Sequence, residues 1–297
     1  MMPILALIVV SLACGLQGQS PQPAPAALLG QSSPAPSSPV TPTLSEQIPT
    51  RANYPTSTPI SGDTGASSDS SEAWQTLRPG LDRRQVSLLT DKGGVRERLY
   101  MLRLDPAFFE FDVGYKPGAP QRLMDWQSET GALIVANGGY FTAENSATGL
   151  IIVNGQATGT SYAGFGGMLA ISDNGPSVRS LSQQPYDPYE PLRAGLQSFP
   201  MLVMPGGQIG YPQEDGLADR RTVIAQDTHG RILFILAMTG SMTLHEMSQY
   251  LAGSDLDISV ALNLDGGASS GIQLTEPPEG VAPFSLLPIV ITVRPKA

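Results

Sequence analysis

The chain has 297 residues, of which 41% are hydrophobic and only 14% are charged. An excess of acidic over basic residues (26 against 17) gives a net charge of −9 and a pI near 4.7. This balance excludes a nucleic-acid-binding surface, which needs clustered positive charge, and it argues against a basic membrane-surface patch. An anionic ligand would have to meet arginines placed locally, not a global positive field.

Residues 1–14 form an apolar run that ends at Cys14. The run is shorter than the roughly 20 residues that span a bilayer, so we predict a signal peptide over 1–16 and an exported protein. The stretch Ser11-Leu12-Ala13-Cys14-Gly15 is similar to a bacterial lipoprotein cleavage site, so Cys14 either carries a lipid anchor or belongs to an ordinary signal. Because Cys14 is the only cysteine, no intramolecular disulfide can form.

Residues 17–73 consist mainly of Pro, Ser, Ala, Thr and Gln, with few charges and no apolar period. Such a segment cannot bury enough surface to offset its chain entropy, and its prolines keep it extended. We therefore predict a disordered tether without chemistry of its own, followed by a folded domain over 74–297.

Apolar runs in the first half of this domain predict strands and one short helix. The strands are expected at 86–88, 98–104 and 108–114, the helix at 122–130, and a buried strand at 132–136. The buried strand leads into Asn137-Gly138-Gly139-Tyr140-Phe141. Paired glycines let the backbone turn and let a ligand approach it closely, so this strand end is a candidate binding element.

The middle of the domain contains a predicted hairpin and a buried amide side chain. Residues 149–153 and the chain from Gln156 onward are expected to pair through an Asn-Gly turn, and 167–172 to form another strand. Gln197 lies inside the apolar run 194–203. A buried glutamine without partners costs about 1–3 kcal/mol, so Gln197 either braces the backbone or contacts a ligand.

Arg221 and Asp227 share one face of the strand predicted at 221–227. Six residues along a strand separate them by roughly 20 Å, so both cannot reach one reacting atom. Asp227 and Gly230 suit the first and fourth positions of a type I turn before the partner strand at 231–238. We therefore assign Asp227 to the turn and Arg221 to the candidate site.

Thr243 and Glu246 fit a capping box at the start of a helix that ends near Gly253. Glu246 is thus predicted to be a cap and not a catalytic acid, and His245 to be solvated. A final strand is expected at 287–293. Many strands with only one or two helices predict an α+β domain with a mixed or antiparallel sheet.

A second strand end with paired glycines follows this helix. Residues 258–265 alternate so that Asn263 and Asp265 share one face, opposite an apolar face. The strand then runs into Gly266-Gly267, whose N–H groups can accept an anion, with Ser269 and Ser270 just beyond. The two strand ends could face each other across one cleft. The alternative reading is a Gly-rich turn in which Asp265 accepts turn N–H bonds.

Several common catalytic motifs are missing from the sequence. There is no His-Glu-x-x-His, no cysteine pair and no nucleotide-binding glycine loop, and only two histidines are present. Carboxylate, amide, arginine and hydroxyl groups remain, and these suit sugar or phosphodiester chemistry better than redox or thiol chemistry. No ligand spacing demands a cofactor or metal, although a divalent cation among Asp265, Asn263 and Asn137 is conceivable.

Five segments in order together resemble the phosphodiester glycosidase family, which includes an animal lysosomal enzyme and bacterial exopolysaccharide-related members. They are Asn137–Phe141, Gly149-Leu150 with Asn154-Gly155, Gln197–Leu202, Arg221-Thr222 and Leu262–Ser270. Phe199 and Ala268 depart from the family pattern, which often has a small residue and a glycine there. The signal peptide and tether lie outside the resemblance.

The resemblance implies hydrolysis of a sugar-1-phosphodiester, such as an N-acetylglucosamine-1-phosphodiester, in envelope or extracellular glycans. It implies Asp265 near the anomeric carbon and Arg221 on the phosphate as the catalytic pair. The substrate-binding residues expected with them are Asn137, Gly138, Gly139, Phe141, Gln197, Asn263, Gly266, Gly267, Ser269 and Ser270. The phosphate is already a good leaving group, so a strong general acid is not required.

Two alternatives from other classes stand beside the enzyme. A carbohydrate- or wall-binding module would keep the pocket without turnover, and a structural envelope protein would use the strand-end glycines only for turns. The tethered, exported layout suits the binding module as well as it suits the enzyme.

Overall fold

The structure is a computed structural model that describes residues 72–296. The predicted signal peptide, Cys14 and nearly all of the predicted tether lie outside the described residues. Within 72–296 the chain is rich in strands and has two α-helices, and all the strand pairings are antiparallel. The predicted strand-rich α+β class with few helices is confirmed.

In chain order, the elements are β1 (Gln75–Arg78), β2 (Leu81–Leu89), β3 (Val95–Leu104), β4 (Phe109–Tyr115), α1 (Leu123–Thr130), β5 (Ile134–Asn137), β6 (Ile151–Val153), β7 (Gln156–Thr158), β8 (Gly167–Ser172), β9 (Gly175–Ser180), β10 (Ala194–Ser198), β11 (Met201–Met204), β12 (Gln208–Ile209), β13 (Asp219–Asp227), β14 (Ile232–Met242), α2 (Leu244–Gly253), β15 (Ile258–Asn263), β16 (Ile272–Thr275), β17 (Pro278–Val281) and β18 (Ile289–Pro295).

The strands form three sheets around one large core. Sheet I has the order β1-β2-β3-β14-β13-β15-β11-β12, sheet II the order β7-β6-β10-β8-β9, and sheet III the order β17-β16-β5-β18-β4. Buried side chains from all three sheets meet in this core, including Leu262 of β15, Leu196 of β10 and Ile134 of β5. The helix α2 covers the other face of sheet I through Met247 and Leu251. The shared core holds the ends of β5, β10 and β15 near one another.

The predicted turn and helix cap are confirmed. Asp227 accepts bonds from the backbone N–H groups of His229 and Arg231, both at 2.9 Å, so it serves the turn as expected. Thr243 accepts a bond from the Glu246 N–H, and the Glu246 carboxylate accepts one from the Thr243 N–H. His245 differs from its prediction, because it is half-buried with Nδ1 3.1 Å from the Tyr211 carbonyl oxygen.

The alternation predicted for β15 is partly wrong. Val260 and Leu262 point into the shared core, but Ile258 packs on the α2 side. The register explains the difference: Gln226 pairs with Val260 and Asp227 with Ile258, so Ser259 is an extra residue that shifts the face. The strand also ends at Asn263, two residues before the end that its alternation predicts.

Among residues 72–296 we find no helix that is both long and apolar enough to cross a membrane.

Candidate active site

The ends of β5 and β15 meet, as the sequence suggested. The Asp265 N–H donates to the Gly138 carbonyl at 3.0 Å, and Asn137 Nδ2 donates to the Asp265 carbonyl at 2.7 Å. These bonds join sheet III to sheet I at the point where each strand gives way to paired glycines. Asp265 is therefore held by the backbone of the opposite strand end.

Asn137 has an internal role in this structure. Its side chain is fully buried, and Oδ1 accepts bonds from the Thr222 hydroxyl at 2.8 Å and the Gly271 N–H at 3.0 Å. With Nδ2 on Asp265, both polar atoms of the amide are satisfied by protein. The predicted direct substrate contact by Asn137 is replaced by a positioning role.

The two glycines after Asn137 differ in what they offer. The Gly138 N–H donates to the Ile289 carbonyl at 3.0 Å, so it is not free for the substrate contact expected of Gly138. A Cβ at Gly138 would lie 2.5 Å from Ile289 Cγ2, which explains the requirement for glycine. The Gly139 N–H donates no hydrogen bond to any residue in the described range, so it stays a candidate donor.

Asp265 carries a half-buried carboxylate beside the second glycine pair. Its pKa is raised above the usual aspartate value, chiefly by burial and further by the negative charge of Asp219. Hydrogen bonds from the Ser269 hydroxyl and from the Gly266 N–H, 2.9 Å from Oδ1, oppose the shift. The Gly266 amide is thus occupied by Asp265 itself, as the turn alternative anticipated, and is not available to an anion.

The loop after Asp265 is shaped by Gly267. Its φ of +57° favours glycine, and a Cβ there would lie 2.9 Å from Asp219 Oδ2. Ser269 and Ser270 follow in buried positions, with the Ser269 hydroxyl 3.3 Å from that of Ser285. Asp219, which the sequence analysis missed, places a second carboxylate at this loop.

Arg221 lies against the same loop as Asp265. Only 9% of it is exposed, Nε donates to the Met242 carbonyl at 3.2 Å, and Nη2 donates to the Leu217 carbonyl. Its Nη1 lies 3.9 Å from where a Cβ of Gly266 would stand. Within the described part of the chain no carboxylate forms an ion pair with Arg221.

Arg220 is a second buried arginine that the sequence analysis missed. It is 8% exposed, and Nη2 donates to the carbonyls of Ser270 at 2.9 Å and Ala282 at 3.1 Å. Its Nε and Nη1 are buried without a hydrogen-bond partner in residues 72–296. The adjacent pair Arg220-Arg221 is the only signal for it in the sequence, and the register shift of β13 between Asp219 and Arg221 means that strand alternation does not assign its face.

Tyr140, and not Phe141, presents its side chain to the site. The Tyr140 hydroxyl accepts a bond from Asn263 Nδ2 at 2.7 Å, and burial with the charge of Asp265 raises its pKa to about 12. Phe141 packs against the large core. The predicted contact by Phe141 is therefore off by one residue.

Tyr140 is one of four aromatic rings that form a partly exposed surface. We call this surface the aromatic cluster (Tyr140, Tyr162, Phe165 and Phe199). The Tyr140 and Phe199 ring centroids are 4.7 Å apart, and Phe199 also meets the other two rings. Gln197 braces this surface, because its Oε1 accepts from the Tyr162 N–H and its Nε2 donates to Ser161, both at 2.8 Å. Of the two roles predicted for Gln197, the structure therefore shows the bracing one.

Several buried polar atoms without partners lie on or next to the loop that holds Asp265. Residues 72–296 contain eight such side-chain atoms. Asn263 Oδ1 and Ser270 Oγ belong to the strand end and the loop, and Arg220 Nε and Nη1 belong to a side chain bonded to the Ser270 carbonyl. Folded proteins satisfy most buried polar atoms, so a local group of unsatisfied ones is typical of a functional site.

Among residues 72–296 there is no group of three or more His, Cys, Asp or Glu side chains that could hold a metal ion. A divalent cation among Asp265, Asn263 and Asn137 stays a prediction.

The sequence and the fold of this chain are similar to those of known proteins. A family model described as phosphodiester glycosidase matches residues 130–282. No curated protein matches the chain. The zebrafish N-acetylglucosamine-1-phosphodiester alpha-N-acetylglucosaminidase catalytic domain, auto-inhibited by its pro-peptide, is similar in structure with a TM-score of 0.58 and 19% identity, over 75% of this chain and 86% of that one.

Two other solved structures share the fold at lower similarity. A hypothetical protein from Synechocystis has a TM-score of 0.51 and 13% identity, over 72% of this chain and 62% of that one. A protein of Burkholderia pseudomallei K96243 described as exported has a TM-score of 0.50 and 12% identity, over 67% and 74%. The family match spans more than half of the chain and contains both strand ends, so this protein belongs to the phosphodiester glycosidase family.

Proposed function

We propose that this chain hydrolyses a sugar-1-phosphodiester at the loop around Asp265. The observation that carries the proposal is the placement of Arg221, a buried cation without a carboxylate partner in the described residues, against the loop that holds Asp265. Buried charges are normally paired, and Arg179 illustrates this rule through its ion pair with Glu190 at 2.6 Å. A bound phosphodiester would supply the anion that Arg221 lacks.

The proposed reaction breaks the bond between the sugar C1 and the phosphate oxygen. The oxygen of water bonds to C1, and the electron pair of the broken bond stays on the phosphate oxygen. The proton that this water loses passes to the phosphate product or to solvent, and the products are the free sugar and a phosphomonoester. Asp265 supplies the carboxylate that stabilises positive charge developing at C1. Asp219 gives the loop the second carboxylate that glycoside hydrolysis ordinarily uses.

Tyr140 and the aromatic cluster serve the sugar in this proposal. A pKa of about 12 keeps the Tyr140 hydroxyl protonated at neutral pH, so it can donate to a sugar or phosphate oxygen while accepting from Asn263. Exposed ring faces suit the apolar faces of a sugar, and Phe199 is 38% exposed. The amides of Gly139 and Gly267 are the remaining candidates for phosphate donors.

A non-catalytic carbohydrate-binding module is the second candidate. The partly exposed aromatic cluster favours it as much as it favours an enzyme, because ring stacking needs no turnover. Glycan binding without any released sugar over a long incubation would support the module. Export and lipid anchoring at Cys14 stay predictions under both candidates.

The role of Arg221 can be tested by comparing charged and uncharged substrates. We expect the full chain to release sugar from N-acetylglucosamine-1-phosphodiesters far faster than from an uncharged glycoside of the same sugar. Arg221→Gln should lower kcat/KM for the phosphodiester about 10- to 100-fold, the range for a lost charge-assisted bond, with little change for the uncharged glycoside. Equal losses on both substrates would contradict the phosphate role.

A further inference from the structure

Arg220 is a buried cation to which the proposed function assigns no role. Arg179 is buried to a similar degree but forms an ion pair with Glu190 through Nη1 and Nη2, at 2.7 and 2.6 Å. Arg220 instead has only two carbonyl acceptors, and its Nε and Nη1 have no partner within residues 72–296. A buried guanidinium with two unsatisfied donors costs free energy unless an anion compensates it.

The side chain above Arg220 is unusually exposed. The Phe284 ring lies over the Arg220 guanidinium with 4.5 Å between the Arg220 Cζ and the ring centroid, although 81% of Phe284 is exposed. A ring with so much exposed surface has few other contacts, so little besides this cation–π contact holds it in place. The ring covers the guanidinium, and Phe284 belongs to none of the buried clusters of residues 72–296, so the core packing does not depend on its position.

Phe284 is connected directly to the loop that holds Asp265. The N–H groups of Phe284 and Ser285 both donate to the Ala268 carbonyl, at 2.7 and 3.2 Å. The Ser270 carbonyl accepts from Arg220 and the Ser270 hydroxyl is buried without a partner in the described range. The Arg220 guanidinium, which carries the unsatisfied donors, therefore borders the proposed substrate loop through its Nη2.

We propose that Arg220 is a second phosphate-binding group of this site and that Phe284 is its movable cover. A phosphate group takes up the unsatisfied N–H donors of Arg220 after the ring swings outward. The inference rests on the proposed function, since a phosphodiester carries one negative charge and its phosphomonoester product carries about −1.5 to −2. Arg221 alone balances the charge of the phosphodiester, and Arg220 together with Arg221 balances the charge of the phosphomonoester.

Titration calorimetry of the full chain with inorganic phosphate tests this directly. We expect Arg220→Gln to weaken phosphate binding at least ten-fold, as for a lost charge-assisted hydrogen bond. Phe284→Ala should tighten binding about two- to five-fold, because the cation–π contact no longer competes with the anion. In the double variant the gain from Phe284→Ala should vanish.

Arg103→Gln is the matched control. Arg103 also lies over an aromatic ring, with its Cζ 4.0 Å from the centroid of Trp74, but it already pairs with Asp82 at 2.9 Å. Phosphate affinity should be unchanged in this variant. Equal affinities in the wild type and Arg220→Gln would overturn the proposal.

Two further results complete the test. If Arg220→Gln does not fold, Phe284→Ala alone tests the proposal. Unchanged or weaker phosphate binding in that variant would overturn the role of Phe284 as a cover of Arg220. Phosphate titration needs no turnover, so the two proposals can fail separately. Sugar release without Arg220-dependent phosphate binding contradicts this inference alone, and Arg220-dependent binding without sugar release contradicts catalysis alone.

Discussion

Asp265 holds a carboxylate where its ionised form is disfavoured. Its raised pKa means that the folded state binds this proton more tightly than the unfolded chain does. Below the unfolded pKa, near about 3.9, both states are protonated and the group costs nothing. As the pH rises through the raised folded pKa, the ionised form progressively lowers the free energy of unfolding.

Asp265→Asn should therefore be more stable than the wild type at pH 7, with the gain disappearing near pH 4. Urea denaturation at both pH values measures this. Asp227→Asn is the matched control. It keeps an oxygen for the His229 and Arg231 N–H groups but puts an NH2 group where Oδ2 accepts from Arg231 Nε, so it should lose about 1–3 kcal/mol. A loss of stability in Asp265→Asn at pH 7 would show that the carboxylate is structural.

Tyr140→Phe removes one hydroxyl and keeps the ring contact with Phe199. If the hydroxyl donates to the reacting substrate, kcat/KM for a sugar-1-phosphodiester should fall about 10- to 100-fold, with the fold unchanged. Steady-state kinetics beside Tyr250→Phe, a tyrosine on α2, provide the comparison. The role of Tyr140 is refuted if both variants match the wild type.

At the scale of elements, Asn137 joins β5 to β15. Asn137→Ala would leave the Thr222 hydroxyl, the Gly271 N–H and the Asp265 carbonyl without their partner, so we expect a loss of about 3 kcal/mol in unfolding free energy. Asn174→Ala, at an exposed turn residue, should change it by less than about 0.5 kcal/mol. If Asn137→Ala leaves the stability unchanged but weakens substrate binding, the direct substrate contact predicted for Asn137 from the sequence would be supported instead.

Local sequence patterns predicted many of the strands and turns correctly. The hairpin through Asn154-Gly155 forms as expected, with φ of 50° and 73°, because few other turns match the strand twist. Periodicity could not predict the face of Tyr140, since the glycines before it break the extended chain. It could not assign Arg220 either, because the register of β13 shifts between Asp219 and Arg221.

At the scale of the molecule, the site lies where three sheets meet. Asn263, at the end of β15, is hydrogen-bonded to the loops that follow the other two strand ends. Its N–H donates to the Pro200 carbonyl at 3.0 Å, and its Nδ2 donates to the Tyr140 hydroxyl and to the Phe199 carbonyl. The sequence predicted that the ends of β5 and β15 could meet, since both have the same design. It could not predict the aromatic cluster, whose rings come from three loops brought together only by the packing of the sheets, with Tyr162 and Phe165 on the same loop.

The central claim is that Asp265 makes this fold a phosphodiester glycosidase. The most direct measurement is sugar released from N-acetylglucosamine-1-phosphodiesters by the full chain and by Asp265→Asn, side by side, with urea denaturation to confirm that both are folded. We expect release by the wild type and none by the folded variant. Equal release by both proteins would contradict it.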